Sequence, residues 1–134
     1  MIEQIHYGDN GEERFLQKNP LRVCPDSPNC VRLSTFIPKK PEKLLPDVEI
    51  IINLMGGKRV MIDHDKFVVT SVFKIFIFRD DVTIQIMSFD DGSILHLKSS
   101  SRVGHSDLGV NKRRVKDFLK KLHALLNEEG NISD

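Results

Sequence analysis

Two hallmarks of membrane-spanning and secreted proteins are missing from this chain. No apolar run approaches the ~20 residues that a membrane-spanning helix needs. The N-terminal stretch is acidic and polar rather than basic and then apolar, so it is not a secretory signal. If the chain is full length, we expect a cytoplasmic protein. The alternative is that a membrane anchor precedes the first residue and has been removed.

The chain also lacks an excess of charge of either sign. Its 134 residues carry 20 lysines and arginines against 19 aspartates and glutamates. This balance argues against nucleic-acid binding as the main task. Internal repeats, low-complexity tracts and long linkers are absent from the sequence as well. We therefore expect a single domain over residues 1–134.

Cysteine is scarce, and the two cysteines do not resemble a metal site. Cys24 and Cys30 enclose five residues, more than the spacing of about two to four that is typical of zinc-binding pairs. The histidines are scattered along the chain. We therefore predict no metal and no cofactor. The two thiols are either reduced or joined in a local disulfide, and the sequence leaves both states open.

Hydrophobic periodicity predicts two helices. Apolar residues from Leu44 to Met55 recur at steps of three and four, as in an amphipathic helix. Pro46 suits the first helical position, and Gly56-Gly57 suits the end. A second apolar stripe begins at Val110, and Gly130 is expected to close that helix.

Residues 58–98 have the alternation and β-branched content of strands. We predict turns at His64–Lys66 and Arg79–Asp81, with one bent strand over Phe67–Phe78 between them. A primed hairpin turn is predicted at Asp91-Gly92, because glycine supplies the positive φ that such a turn requires.

The predicted fold class is α+β, with a four-stranded antiparallel meander. One helix precedes the sheet and one follows it, and both pack on one face. Residues 1–40 would form an irregular N-terminal segment, residues 41–126 the helix–meander–helix body, and residues 127–134 a frayed tail.

Three segments carry a family resemblance. They read C-P-D-S-P-N-C over Cys24–Cys30, R-D-D-V over Arg79–Val82, and S-S-S-R-V-G-H-S-D-L-G-V-N-K-R-R-V over Ser99–Val115. In order and spacing, residues 22–126 closely resemble the bacterial and plant family catalogued as domain of unknown function 1499. That family generally has alanine at the position of Ser100 and tyrosine at that of His105. The resemblance implies a shared fold and a shared pocket or surface, and no activity.

The junction Ser99–Asn111 is the candidate site. It combines serines, two glycines, an arginine and a histidine where a strand leads into a helix, and such a junction can turn backbone N–H groups toward an anion. Lys112, Arg113 and Arg114 follow at the helix start, where the helix dipole disfavours cations unless an acidic partner or a bound anion offsets the cost. On a helical wheel, Asn111 falls on the apolar face and Arg114 at its edge, so both can reach the sheet.

Two classes of function are compatible with this junction. The first is a binding or interaction domain for an anionic small molecule or a protein partner. Its candidate ligand-binding residues are Arg102, His105, Ser106, Asp107, Asn111 and Arg114, with possible support from Asp80, Asp81, Cys24 and Cys30. The alternative is a small enzyme on an anionic substrate, in which Arg102 binds charge and His105 or Asp107 is the acid or base.

The purely structural interpretation is that the junction only ties the last strand to the last helix. In that case Arg102 would be buried in an ion pair with Asp107 or Asp81. Asp80 and Asp81 are residue types common in turns, but their place in the R-D-D-V motif and a pairing with Arg102 or Arg114 would give them more than a local role.

Overall fold

A computed structural model of the chain describes residues 5–7, 19–25, 29–102 and 109–133. Within these ranges lie five strands of six residues or more, one three-residue strand and two helices. In chain order the elements are β1 (Ile5–Tyr7), β2 (Cys30–Ile37), α1 (Pro41–Leu54), β3 (Lys58–Asp63), β4 (Val68–Ile75), β5 (Phe78–Phe89), β6 (Gly92–Ser101) and α2 (Val110–Ser133). The strands form one antiparallel sheet in the order β1-β2-β6-β5-β4-β3. The α+β class is confirmed.

The sheet is wider than the four-stranded meander that the sequence predicts. Strands β3 to β6 are that meander, but β2 pairs with β6 and β1 pairs with β2. Residues 30–37 are therefore a strand and not part of an irregular segment. Their pattern escapes detection because Arg32, Ser34 and Thr35 are polar and yet buried. Helix α1 follows β2, so the prediction that a helix precedes the whole sheet is wrong.

Both helices are longer than predicted. Helix α1 begins at Pro41, whose missing N–H costs nothing at the first helical position, and Pro46 lies inside the helix. Burial of Leu44 and Leu45 in the first turns favours the earlier start. Helix α2 continues to Ser133, past Gly130 and through most of the predicted frayed tail.

Two turns lie elsewhere than predicted. The predicted bent strand over Phe67–Phe78 is interrupted, because β4 ends at Ile75 and β5 begins at Phe78, so that Phe76 and Ile77 form the turn. Asp80 and Asp81 are consequently strand residues and not turn residues.

The hairpin between β5 and β6 is confirmed, but its two-residue loop is Asp90-Asp91. The positive φ of 50° belongs to Asp90, and Gly92 already pairs with Phe89 as a strand residue.

The hydrophobic core lies between one face of the sheet and the two helices, which also contact each other. A buried row crosses the sheet on this face, since Leu33, Leu97, Ile84 and Val69 are register neighbours. Helix α1 contributes Val48, Ile51 and Ile52, and helix α2 contributes Val115, Phe118, Leu119 and Leu122. The sheet thus holds the N-terminus of α2 against the last residues of β6, where the candidate site was predicted.

Candidate functional site

Asn111 is the centre of a buried polar cluster at the start of α2. Its side-chain oxygen accepts hydrogen bonds from Ser99 Oγ at 2.6 Å and from Arg114 at 2.8 Å. Its amide nitrogen donates to the Asn29 carbonyl and to Ser101 Oγ, both at 2.9 Å. Because Asn111 is fully buried, these bonds satisfy a group that would otherwise destabilise the fold. The cluster joins α2, β6 and the residue preceding β2.

Arg114 extends this cluster to β5. Its guanidinium forms a buried ion pair with Asp80 at 2.8 Å and donates to Ser99 Oγ at 3.1 Å. The guanidinium carbon also lies 4.8 Å from the centroid of the Phe73 ring, within the range of a cation–π contact. The acidic partner that offsets a cation near the start of α2 is thus Asp80. The charge of Arg114 requires no bound anion.

Arg102 is arranged differently, because it lies on the surface. Its Nε and Nη2 atoms donate to the two carboxylate oxygens of Asp81 at 3.0 and 2.9 Å, and both side chains are about half exposed. The hydrogen bonds and charge of Asp81 raise the pKa of Arg102 above its usual value, so the group is a permanent cation. The backbone N–H of Arg102 donates to the Arg79 carbonyl, which fixes the residue at the end of β6. The neighbouring aspartates of β5 therefore pair with different arginines.

The two cysteines form a disulfide. Of the two states that the sequence leaves open, the structure has the oxidised one. Cys30 pairs with Ser100 in the sheet, and the carbonyl of Asn29 accepts a hydrogen bond from the Ser101 N–H. The disulfide therefore anchors the segment around Cys24 beside the last residues of β6.

The remaining candidates, His105, Ser106 and Asp107, lie outside the described residues. Apart from the disulfide-bonded cysteines, the described candidates fall into two groups. Asp80, Asn111 and Arg114 come together in the buried cluster, and Asp81 and Arg102 come together on the surface nearby. In the described part of the chain, no three histidine, cysteine or acidic side chains converge as metal ligands would.

A second buried polar group lies on the sheet face opposite the helices, and the sequence analysis did not identify it. His96 is fully buried, and its Nδ1 lies 2.7 Å from Ser34 Oγ. Ser34 Oγ accepts a hydrogen bond from Asn19, so its own hydrogen is available to His96 Nδ1. The ring proton of neutral His96 is then on Nε2, which has no partner within the described structure. Burial, together with the positive charge of Arg32, lowers the pKa of His96 to about 4.

Arg32 connects this second buried polar group to the segment 19–21. Its guanidinium donates to the carbonyls of Asn19 and Leu21 at 2.9 and 3.1 Å. Asn19 in turn donates to the carbonyl of Leu33. Because all these bonds connect residues far apart in sequence, no local pattern could have indicated them.

A small pocket lies between the two helices and the sheet, bounded by Ile52, Phe73, Val82, Phe118 and the side chain of Arg114. This pocket is too small for an organic ligand. Because its walls are mostly apolar, it is not a place where several reactive groups converge.

A sequence model of the family described as "Protein of unknown function (DUF1499)" matches residues 20–122. The chain belongs to this family, and the resemblance found in its motifs is confirmed. A search of curated proteins finds no significantly similar sequence. None of the described helices is long and apolar enough to cross a membrane.

Proposed function

We propose that the chain is a binding domain that holds an anionic group, a carboxylate or a phosphate, at the junction 99–111 through Arg102. The observation that carries this proposal is the pairing of Arg102 with Asp81. An exposed guanidinium already grips a carboxylate with two parallel hydrogen bonds, which is the geometry that arginine offers to carboxylates and phosphates in general.

The exposure of the Arg102–Asp81 pair to solvent supports exchange of the Asp81 carboxylate for an external anion. Ion pairs in contact with water contribute little net stability, because water solvates both charges almost as well as they solvate each other. An external anion can therefore replace Asp81 at little cost. Arg102 has no further hydrogen-bond partner among the described residues, so the rest of its guanidinium faces solvent.

The buried cluster would support this site without contacting the ligand. Asn111 and Arg114 are occupied by Ser99, Ser101 and Asp80. In this proposal they hold the end of β6 and the start of α2 at a fixed separation. His105, Ser106 and Asp107 remain candidate ligand contacts, because the chain between these two elements contains them.

The enzyme alternative, with His105 or Asp107 as acid or base, is not favoured by any observation on the described residues. Catalysis requires convergent reactive groups in a concave site. The cluster and the exposed pair that flank the junction do not provide one.

The disulfide bears on where such a domain would work. Disulfides persist in oxidising compartments and are rare in the cytosol. The Cys24–Cys30 bond therefore favours an oxidising setting over the expected cytoplasmic one.

Calorimetric titration of the whole chain with inorganic phosphate, sulfate and acetate tests the proposal. We expect Arg102→Ala to abolish binding and Arg102→Lys to weaken it, since lysine retains the charge and loses the two-pronged geometry. Asp81→Ala should tighten binding, because it removes the internal competitor. Lys121→Ala is the matched control, since Lys121 is an exposed cation paired with Asp117 on the same helix. Absence of binding to the wild type, or equal binding by Arg102→Ala, would overturn the proposal.

A further inference from the structure

The turn between β4 and β5 exposes four consecutive apolar residues, Ile75, Phe76, Ile77 and Phe78, which we call the apolar tip. Phe76 and Ile77 at its end are 87% and 79% exposed. Two-residue hairpin turns usually contain asparagine, aspartate or glycine, because these residues tolerate positive φ. Here Phe76 has a φ of 55°. The tip thus combines an unfavourable backbone conformation with exposed apolar surface, and neither stabilises the fold.

The apolar tip projects beyond its neighbours in the sheet. The pairing of β4 with β3 ends at Val72, and the pairing of β5 with β6 ends at Asp80. The Arg79 carbonyl still accepts a hydrogen bond from the Arg102 N–H, so the ribbon without neighbours consists of Ile77 and Phe78 and the β4 residues opposite them, about 7 Å at the rise of a β-strand. A convex apolar projection of this kind suits insertion into an environment whose molecules can rearrange around it.

Three cations lie behind the tip on the sheet face opposite the helices. Lys74 and Arg79 are register partners directly behind it, and Lys58 lies at the same end of the sheet, opposite Val72. No acidic residue occurs between Lys66 and Arg79. The nearest carboxylates beyond Arg79 are already paired, Asp80 with Arg114 and Asp81 with Arg102. An apolar end with cations behind it on one face is complementary to a lipid surface that carries negative headgroups.

We propose that the apolar tip inserts into the interface of a membrane containing anionic lipids, with Lys74 and Arg79 contacting the headgroups. The length of the ribbon matches the depth of about 5–10 Å to which apolar groups of peripheral proteins enter that interface. The aliphatic stems of the two cations can lie along the apolar boundary while their charged ends remain at the headgroups. This surface adjoins the anion site proposed above, because the Arg79 carbonyl accepts the backbone N–H of Arg102, but it uses other side chains and does not depend on that site.

Sedimentation with vesicles tests the inference. The whole chain is mixed with vesicles of phosphatidylcholine alone and of phosphatidylcholine with phosphatidylglycerol. We expect binding to the anionic vesicles only, and weaker binding as salt is added. Phe76→Ser with Ile77→Ser should weaken it at least about tenfold, because it removes most of the inserted apolar area. Lys74→Gln and Arg79→Gln should each weaken it about fivefold.

Met61→Ser is the matched control, because Met61 is 69% exposed on β3 and lies away from the tip. It should bind vesicles as the wild type does. Arg102→Ala removes the proposed anion site but leaves the apolar tip, Lys74 and Arg79 in place. That variant should therefore keep most of its vesicle binding. Phosphate binding with no vesicle binding would overturn only the membrane inference, and the reverse result would overturn only the proposed function.

Fluorescence supplies a second readout that does not depend on affinity. The chain has no tryptophan, so Phe76→Trp and Met61→Trp each introduce a single reporter. On anionic vesicles we expect a blue shift for the reporter at position 76 and none for that at position 61. A reporter at 76 that stays in water, or an unchanged affinity for the variant with Phe76→Ser and Ile77→Ser, would show that the tip does not insert. Docking into a protein partner would then be the remaining explanation of the exposed apolar surface.

Discussion

Asp80 and Arg114 form an ion pair at 2.8 Å, and their side chains are only 4% and 8% exposed. One residue along β5, Asp81 pairs with Arg102 at a similar distance on the open surface. The two pairs have the same chemistry and opposite environments, because successive residues of a strand point to opposite faces of the sheet. Burial decides what each pair does. The first holds α2 on the sheet, and the second remains open to water.

Removal of one partner of the buried pair should therefore strongly destabilise the fold. We expect Arg114→Met to lower the free energy of unfolding by about 3–5 kcal/mol, because Asp80 would be left as an unpaired buried charge. Denaturation in urea measures this change. In the double variant with Asp80→Leu and Arg114→Met, part of the loss should be recovered, since neither charge remains.

Arg102→Ala serves as the exposed counterpart and should leave the midpoint of unfolding nearly unchanged. If Arg114→Met were equally harmless, Asp80 and Arg114 could not be the connection that fixes α2.

Gly92 is required for a steric reason and not for the positive φ that the sequence suggests. A Cβ atom there would lie 2.4 Å from the Ile37 carbonyl oxygen and 2.9 Å from the Phe36 ring. We expect Gly92→Asn to destabilise the protein by about 1–3 kcal/mol through overpacking.

Gly56→Asn is the control, because Gly56 has a φ of 90° and an open environment that asparagine tolerates better than most residues. Thermal unfolding of the two variants distinguishes the steric explanation of Gly92 from the one based on a positive φ. Equal tolerance of asparagine at both positions would contradict the steric one.

Local patterns predicted those parts of the fold that rest on local physics. The apolar stripes of both helices and the meander β3–β6 follow from periodicity, and the wheel position of Asn111 correctly indicated contact with the sheet. Strand β2 escaped prediction because Arg32 and Ser34 are buried by partners far away in sequence.

The turn at Phe76 and Ile77 was not predicted from the sequence, because both residues favour strands. Propensity therefore argued for an unbroken strand and placed Asp80 and Asp81 in a turn. The possible pairing of these aspartates with Arg102 and Arg114 was correctly anticipated, but which pair is buried depends on their register in β5.

The disulfide should be detectable as a thiol count. Alkylation of the denatured protein without reductant should modify no cysteine, and alkylation after reduction should modify both Cys24 and Cys30. Replacement of both by serine should destabilise the protein by about 2 kcal/mol, the loop entropy of so short a ring. Two reactive thiols in protein that was alkylated at lysis would instead support the reduced state and a cytosolic location.

Stability should fall between about pH 6.5 and pH 4 because of His96. Burial and Arg32 lower the pKa of His96 to about 4 in the folded state, while the unfolded chain has the ordinary value of about 6.5. In this window the unfolded state binds the proton and the folded state does not, so acidification favours unfolding. The full effect is at most about 3 kcal/mol, complete once the pH falls through the folded pKa.

His96→Phe isolates this contribution from that of the carboxylates and of His123, whose pKa is also lowered by burial. The free energy of unfolding is measured against pH for both proteins, and the difference between the two curves should change over the window and be flat above it. A constant difference from pH 7 to pH 4 would mean that His96 titrates alike in the folded and unfolded states. The ring would then be accessible to water, and its full burial beside Ser34 would be wrong.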